Sequence, residues 1–445
     1  MIRVTLYESS RPGEVRLPSR LVPGGLSAPG QVWFGQKHSD ASLRTEAAEG
    51  HAARIGLGPD VMQALGLMPG VRLWATWDAA GTRVRLGPVV AVFASHTRSP
   101  GYYRFLGSSS DLVRGFLRLA RRRGAVAYTF SARDVDWETG TVNGYVPYGR
   151  GWRRVRVPLP DVVYDRVQSR SLERLRRYRE TKARLMQMPG LHYFNPQFLD
   201  KWETYVALSR DPAARRYLPR TDLFRSSAQL FRYLRRYPTV YIKPSKGSLG
   251  VGVTKVSRTN RGYRYHRVRG GRPPSVGVVG SLPRLASRLE AILPRRRLII
   301  QRGLHLARYQ GRPYDIRVIV QKTPRGRWSC TTMIARVAAA GTAVSNVATG
   351  GAMIPVSRAI RGSLRLSPRR ATRRIAYASR LIARALERQL EQEFGELGVD
   401  VALDTSGRLW LIEVNAKPGR EREDIPGTPP SIRRIVRYAL AKTGF

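Results

Sequence analysis

Hydrophobic and polar positions follow three successive patterns along this chain. From residue 1 to 87, short β-like runs (Ile2–Tyr7, Glu14–Leu17, Val71–Trp77, Arg83–Leu86) are broken by Gly and Pro, and Pro59–Leu67 alone reads as a short helix. A small β-rich module is expected there, with no assignable chemistry; His38 and His51 fall in polar loops, too isolated to argue for metal. From Gly87 the pattern changes. GPVVAVFAS is a continuous apolar strand, Ser110–Arg123 an amphipathic helix, and Ala125–Phe130 and Val162–Val167 are further strands. Strand, helix and strand with apolar runs on both faces predict a small parallel α/β layer.

The third pattern mixes periods. Ser171–Met188 is an arginine-studded helix that stops at Gly190, and Leu199–Leu208 and Ser226–Arg236 follow as helices. The strand YPTVYIKP (Pro238–Pro244) enters the glycine-rich turn Ser245–Gly250 and leaves along Val251–Val256. Arg261–Gly280 reads as a basic loop, Leu282–Leu293 as a helix and Arg297–Gln301 as an apolar strand. A hairpin forms from Tyr314–Lys322 and Trp328–Val337 about Pro324-Arg325-Gly326, and Pro368–Gln392 is the longest helix. It feeds two apolar strands, Val399–Leu403 and Arg408–Val414, joined by Thr405-Ser406-Gly407.

That last hairpin carries the clearest chemistry. Glu413 and Asn415 sit two apart on a mostly apolar strand and so share a face. A loop of two or four residues would bring Asp400 to that face; three would turn it away. Two carboxylates and an amide oxygen are hard ligands, suited to Mg²⁺ completed by phosphate and water. The alternative is a solvated hairpin with ordinary surface acids, against which stands the apolar strand that Glu413 and Asn415 interrupt. The turn Gly247-Ser248-Leu249-Gly250-Val251-Gly252 has the spacing G-x-x-G-x-G but runs into a strand, unlike Rossmann or Walker loops, which open a helix. Its backbone N–H groups can close over phosphates, with Lys243 or Lys246 adding a point charge. Together the loop and the acids form the two halves of a nucleotide site.

Composition changes the picture in two ways. Across 445 residues, 79 Lys+Arg against 31 Asp+Glu give a formal +48, and only nine of those cations are lysines, so lysines inside motifs stand out. Genomic composition bias accounts for part of this, yet the field attracts anionic polymers, acidic substrates and nucleic acid in a salt-dependent way. The arginines are spread along the chain and no nucleic-acid module is recognised, so nucleic acid is expected only as a nonspecific partner. A single cysteine, Cys330, excludes a disulfide framework. The opening residues lack the apolar core of a signal peptide and no apolar run reaches the length of a membrane span, so a soluble intracellular protein without membrane insertion is expected.

The order Lys201, Lys243 with its glycine loop, Gln301, Asp315-x-Arg317, Arg336, Asn346, then Asp400, Glu413 and Asn415 resembles the ATP-grasp superfamily. The runs PLPDVVYDRV, FNPQFLDKW, YLPRT, YIKPSKGSLGVGV, YDIRVIVQK, SNVATGG and GVDVALD…LIEVNAKPG look like its YheC/YheD family of endospore-coat-associated proteins. The resemblance runs from about Gly87 to the end, more weakly through the N-terminal module. It implies an α+β and α/β architecture: an ATP-grasp fold, two α+β subdomains sandwiching ATP, preceded by a pre-ATP-grasp α/β domain and the β-rich module. The division expected is 1–87, 88–196 and 197–445, the last split into a central subdomain (197–297) and a C-terminal one (298–445).

By the same resemblance, Lys201 and Lys243 contact ATP phosphates, and the amides of Gly247 to Gly250, with Ser248 and Lys246, cover them. Ile300-Gln301 matches the hinge strand that reads adenine through its backbone. Asp315, Arg317, Arg336 and Asn346 match a glutathione-synthetase-type site whose arginines face the γ-phosphate and the acceptor carboxylate. Asp400, Glu413 and Asn415 match the ligands of one or two Mg²⁺ ions. Bland readings stand beside these: Lys201 as a helix-surface residue, Arg317 and Arg336 as two of 70 arginines, Gln301 as an ordinary strand residue, Asn346 as turn chemistry. Asp404 is assigned to its turn, and Lys417-Pro418-Gly419 to chain direction. The function implied is ATP- and Mg²⁺-dependent activation of a substrate carboxylate as an acyl phosphate for capture by an amine or thiol, on a spore-envelope component. The alternatives are a non-catalytic coat-associated scaffold that binds ATP and an arginine-driven nucleic-acid binder.

Overall fold

The computed structural model describes residues 1–19, 27–46, 53–78, 82–96, 101–102, 104–247, 250–294, 296–339, 351–419 and 428–445. Seven strands between Ile2–Glu8 and Arg83–Gly87 close into a barrel, sealed by the antiparallel pairing of Ile2–Glu8 with Arg72–Trp77. Alternate residues such as Val4 and Leu6, Val15 and Leu17, and Val84 and Leu86 fill its interior. Closure leaves no free sheet edge, which a module of short strands would otherwise expose. Two of the strands, Ser27–Phe34 and Lys37–Glu46, have too little apolar alternation to be read from sequence. His38 therefore lies on a strand, its ring stacked on Trp33 at 4.4 Å, and not in a loop; His51 lies outside the described residues.

The second sheet explains the unbroken apolar run after Gly87. Val89–Phe93 lies between Val126–Phe130 and Val162–Asp165, parallel to both, with His192–Phe194 beyond. Val90 and Val92 face the helix Ser110–Arg122, while Val89, Ala91 and Phe93 face the barrel, so each residue is buried on one side or the other. An antiparallel hairpin, Thr141–Tyr148 with Gly151–Pro158, extends this sheet. The C-terminal helix Pro430–Ala441 returns to pack beside Ser110–Arg122, placing Ile432 and Val436 in the same core as Phe116.

Two antiparallel sheets make up the rest. The first has the order Thr221–Leu223, Leu298–Arg302, Thr239–Pro244, Thr254–Thr259, Gly262–Arg269, Arg272–Val279. Its last two strands correct the reading of 261–280 as a loop: arginines are interspersed with Tyr, His and Val in Gly262–Arg269, while Arg272–Val279 carries two prolines near its start and leaves Val276 and Val278 exposed, so neither shows a clean buried face in sequence. The helices Ser227–Arg236 and Leu282–Ile292 cover one face, burying Val240, Ile242 and Ile300. By strand alternation Lys243 and Gln301 project from the other face.

The second antiparallel sheet has the order Ala352–Ile354, Trp328–Val337, Arg312–Lys322, Glu396–Leu403, Leu409–Asn415. Ile316, Val318, Val399 and Val401 pack beneath the 23-residue helix Pro368–Leu390. Asp315, Arg317 and Asp400 alternate with them and face away from it. Among the described residues no helix is long and apolar enough to cross a membrane.

Candidate functional site

The hairpin geometry turns on one extra residue. Leu403 pairs with Leu409, so the turn has five residues, 404–408, and an odd turn by itself would put Asp400 opposite Ile412, on the wrong face. A register shift between Asp400 and Val401 inserts Ile412 as a bulge and restores the Asp400 to Glu413 pairing. Gly398 then pairs with Asn415, and Asp400, Glu413 and Asn415 share a face. Asp404 holds the turn, accepting from Ser406 N–H (3.0 Å), Arg408 N–H (2.9 Å) and Trp410 Nε1–H (2.8 Å).

Arginines attend the first acid. Arg317, opposite Asp400 on the adjoining strand, donates from Nε to Oδ1 and from Nη2 to Oδ2 (3.0 Å). Arg336 Nη2 lies 3.1 Å from Asp400 Oδ2 and is itself gripped by Asp315 at 2.7 Å through both Nε and Nη2. Burial pushes the Asp400 carboxyl up, but the two guanidiniums outweigh it and hold the group below its ordinary range. It is therefore anionic at neutral pH. Only placement distinguishes these two arginines from the other 68.

Lysines attend the second acid. Lys201 follows the helix N-cap Asp200, whose Oδ1 accepts from Trp202 and Glu203 N–H. Its Nζ sits 3.0 Å from Glu413 Oε1 and donates to the carbonyl of Gly247 (2.8 Å). It thus ties the glycine turn to the hairpin. Lys243 donates to Gln301 Oε1 (2.6 Å), and Gln301 Nε2 donates to Thr221 Oγ1 (2.9 Å). Burial pushes the Lys243 ammonium down to about 8, Glu413 opposing the shift and Lys201 adding to it. Lys201, Lys243, Gln301, Thr221 and Glu413 line one cleft between the two antiparallel sheets, walled by apolar groups such as Leu208, Leu218, Ile299 and Leu411.

Three placements differ from the expectations. The strand Leu298–Arg302 is hydrogen-bonded on both sides, and the next free amides are also used: Arg302 N–H donates to Arg220 O (3.0 Å) and Gly303 N–H to Thr239 O (2.7 Å). Gln301 presents its side chain to the cleft, so the backbone of Ile300-Gln301 does not read a base there. Lys246 is exposed beside the turn, while Lys201 bonds the turn at Gly247 and Lys243 lines the cleft. Lys417 is far more than chain direction: it is buried, with Nζ 2.7 Å from Asp165 Oδ1 and 2.5 Å from Glu173 Oε1. Lys182 approaches the same pair at 3.3 and 3.8 Å, and Tyr193 donates to Asp165 (2.8 Å). This ion cluster fastens the strand bearing Asn415 to the end of Val162–Asp165 in the parallel sheet.

The glycine turn keeps the expected setting, antiparallel strands on either side. Gly250 and Gly252 adopt left-handed φ values of 71° and 81°, and a Cβ at Gly252 would lie 3.0 Å from Pro244 Cγ. Ser248 and Asn346 lie outside the described residues.

One residue escaped sequence reading altogether. Arg170, at the start of the helix Arg170–Arg174, donates to Leu199 O (2.8 Å) and lies over the Phe198 ring at 4.6 Å. Burial lowers the pKa of its guanidinium, opposed by Glu173, Glu413 and Asp200. Glu413 thus has one cation in contact and two more within electrostatic reach, a surplus that calls for an anion. No motif marks Arg170; only its place after the buried PLPDVVYDRV run hints at it.

The residues present fit a magnesium ion. No group of three or more His, Cys, Asp or Glu gathers among the described residues, but two carboxylates and an amide oxygen on one face are a usual protein share of a Mg²⁺ shell that phosphates complete.

Residues 190–442, more than half of the chain, match a family model described as YheC/D-like ATP-grasp. The endospore coat-associated protein YheD of Bacillus subtilis (strain 168) is 29% identical over 339 residues, covering 76% of this chain and 74% of YheD. YheC of the same organism is 21% identical over 299 residues, covering 66% of this chain and 80% of YheC. Among solved structures, the D-alanine-D-alanine ligase from Coxiella burnetii superposes with a TM-score of 0.44 at 10% identity, covering 80% of this chain and 96% of that one.

Proposed function

The chain belongs to the YheC/D-like ATP-grasp family, and from that premise we propose that it binds Mg²⁺–ATP in the cleft between its two antiparallel sheets and activates a substrate carboxylate. The observation that carries this reading is the meeting of Lys201, Lys243, Gln301 and Glu413 in one cleft, with Asp400 directly across the hairpin from Glu413. A spore-envelope component is the expected source of the carboxylate, by the names of the relatives.

Asp400, Glu413 and Asn415 would hold Mg²⁺, which when bound neutralises phosphate charge and orients the triphosphate. Lys243 and Lys201 would take the phosphates, with the glycine turn as cover that excludes water. A carboxylate oxygen of the substrate attacks the γ-phosphorus, the bond to ADP breaks, and an acyl phosphate results. An amine or thiol then attacks the acyl carbon, inorganic phosphate leaves and the acceptor's proton passes to solvent. Arg317 and Arg336, both ion-paired to Asp400, would stabilise charge on the transferring group.

The test is calorimetric titration with a non-hydrolysable ATP analogue, with Mg²⁺ and with EDTA, followed by ADP release over a panel of carboxylates and amines. Binding that needs Mg²⁺, and ADP release with some pair, is expected. Equal binding in EDTA would sink the metal site, and binding without turnover on any pair would leave a scaffold.

The Lys243 ammonium sets a pH dependence. Its charge is full below about 8 and lost as pH rises through that value, so nucleotide affinity should hold steady from pH 6.5 to 7.5 and weaken several-fold by pH 9. In Lys243→Arg the fall over that range should vanish, because arginine keeps its charge. The same depressed pKa means that the unfolded chain, with an ordinary lysine, binds more protons between about pH 8 and 10.5; this group's contribution makes stability rise across that window.

A further inference from the structure

The longest helix carries a second candidate site, on the far side of its sheet from the nucleotide cleft. Of the residues in Pro368–Leu390, eight are exposed: Arg369, Arg370, Arg373, Arg374, Tyr377, Arg380, Arg384 and Arg388. Seven of eight are arginine, although arginine makes up about one residue in six of the chain. Composition bias spreads cations over every face; it does not clear acids from one. The helix's one carboxylate in this stretch, Glu387, turns away to Lys322 Nζ at 2.5 Å. Among the described residues only Arg388 of the seven has an acidic partner, Asp211 at 2.6 Å. Another exposed arginine-rich helix, Arg176–Gln187, differs: Glu180 pairs with Arg176 there and Met186 interrupts the charge.

The spacing is regular. Positions 370, 373, 377, 380, 384 and 388 advance by three or four residues and form one stripe about 27 Å long, with a side chain at each turn of about 5.4 Å. Tyr377, 58% exposed, stands in the middle with arginines on both sides. A row of cations that stay charged at any physiological pH suits a row of phosphates. An aromatic face set among them adds a platform on which an unpaired base can stack. Bases in a duplex are already stacked and out of its reach, and polymers without bases have no use for it.

We infer that this stripe is a docking surface for single-stranded nucleic acid, bound without sequence preference. Ile316, Val318, Val399 and Val401 separate it from Asp315, Arg317 and Asp400, which face the other way. Occupancy here and in the cleft is therefore compatible, and the inference stands whether or not the proposed reaction does.

The experiment is fluorescence anisotropy of the full chain with a labelled 20-nucleotide oligothymidylate between 50 and 200 mM NaCl. The logarithm of affinity should fall with the logarithm of salt with a slope of about −4, at roughly −0.7 per neutralised phosphate. Arg373→Gln/Arg380→Gln/Arg384→Gln should weaken binding about tenfold or more and bring the slope to about −2; the Lys triple at the same positions should restore both. Tyr377→Ala should weaken binding roughly tenfold with the slope unchanged. The control Arg232→Gln/Arg235→Gln/Arg236→Gln removes equal charge from another exposed helix and should leave affinity within about twofold. An equal loss in the control would overturn the inference, since net charge alone would then explain binding. So would a silent Tyr377→Ala with inorganic polyphosphate competing as well as the oligonucleotide, or tighter binding of a 20-base-pair duplex.

Discussion

Glu413→Gln should weaken Mg²⁺–ATP binding at least a hundredfold, and in EDTA the same variant should bind free ATP more tightly than the native protein does. The first effect follows from losing the carboxylate that lines the cleft; even residues that only orient a metal ligand cost about ten- to a hundredfold. The second follows from what surrounds Glu413. Lys201 is in contact at 3.0 Å, and Lys243 and Arg170 lie within its field. Neutralising the acid frees this positive charge for phosphates. The two changes together should abolish the Mg²⁺ requirement and not simply lower affinity. Calorimetric titration in both conditions checks this. A variant that remains strongly Mg²⁺-dependent would remove Glu413 from the metal site, and one weaker in both conditions would point to a collapsed cleft. Glutamine nearly matches glutamate in shape, so the hairpin and its bulge should survive.

Lys417→Met should cost about 3 to 5 kcal/mol of unfolding free energy, the usual penalty for removing one partner of a buried ion pair. Asp165 is fully buried and Glu173 nearly so, and both lose their closest cation. Lys182, at 3.3 Å from Asp165, places the loss toward the lower end. The penalty is that of buried carboxylate charge left short of a cation, so it should be larger where carboxylates are ionised than in acid. Urea denaturation at pH 5 and pH 8 reads this directly, with the larger loss at pH 8. A loss below about 1 kcal/mol at both would mean that the cluster is solvated. Because Lys417 stands two residues after Asn415, Lys417→Met should also loosen Mg²⁺–ATP binding, while Lys417→Arg should retain part of both.

Local signals in the sequence carried much of this structure. The unbroken apolar run Val89–Phe93 announced a strand covered on both faces, and it lies between the barrel and a helix. Lys243 stood out as a scarce lysine beside the glycine turn and Glu413 as an acid interrupting an apolar strand, and both line the cleft. Where charge was dense the signal failed. The strand Gly262–Arg269 was hidden by its interspersed arginines, and the stripe on Pro368–Leu390 looked like part of a general excess until its buried face was known.

By itself, then, the amino-acid sequence determined many of the strands and helices, the order of the nucleotide-site motifs, and the kinds of ligand they favour. These depend on side-chain identity and a period of two or 3.6 residues, both local to the chain. The tertiary structure alone decided which of 70 arginines meet Asp400, that Arg170 reaches the field of Glu413, that Lys417 is buried against Asp165, and that a bulge at Ile412 corrects an odd turn. Asp400 lies 83 residues from Arg317, and Lys417 lies 252 from Asp165. Charge environment and strand register belong to such distant pairs, and no window along the chain contains both members.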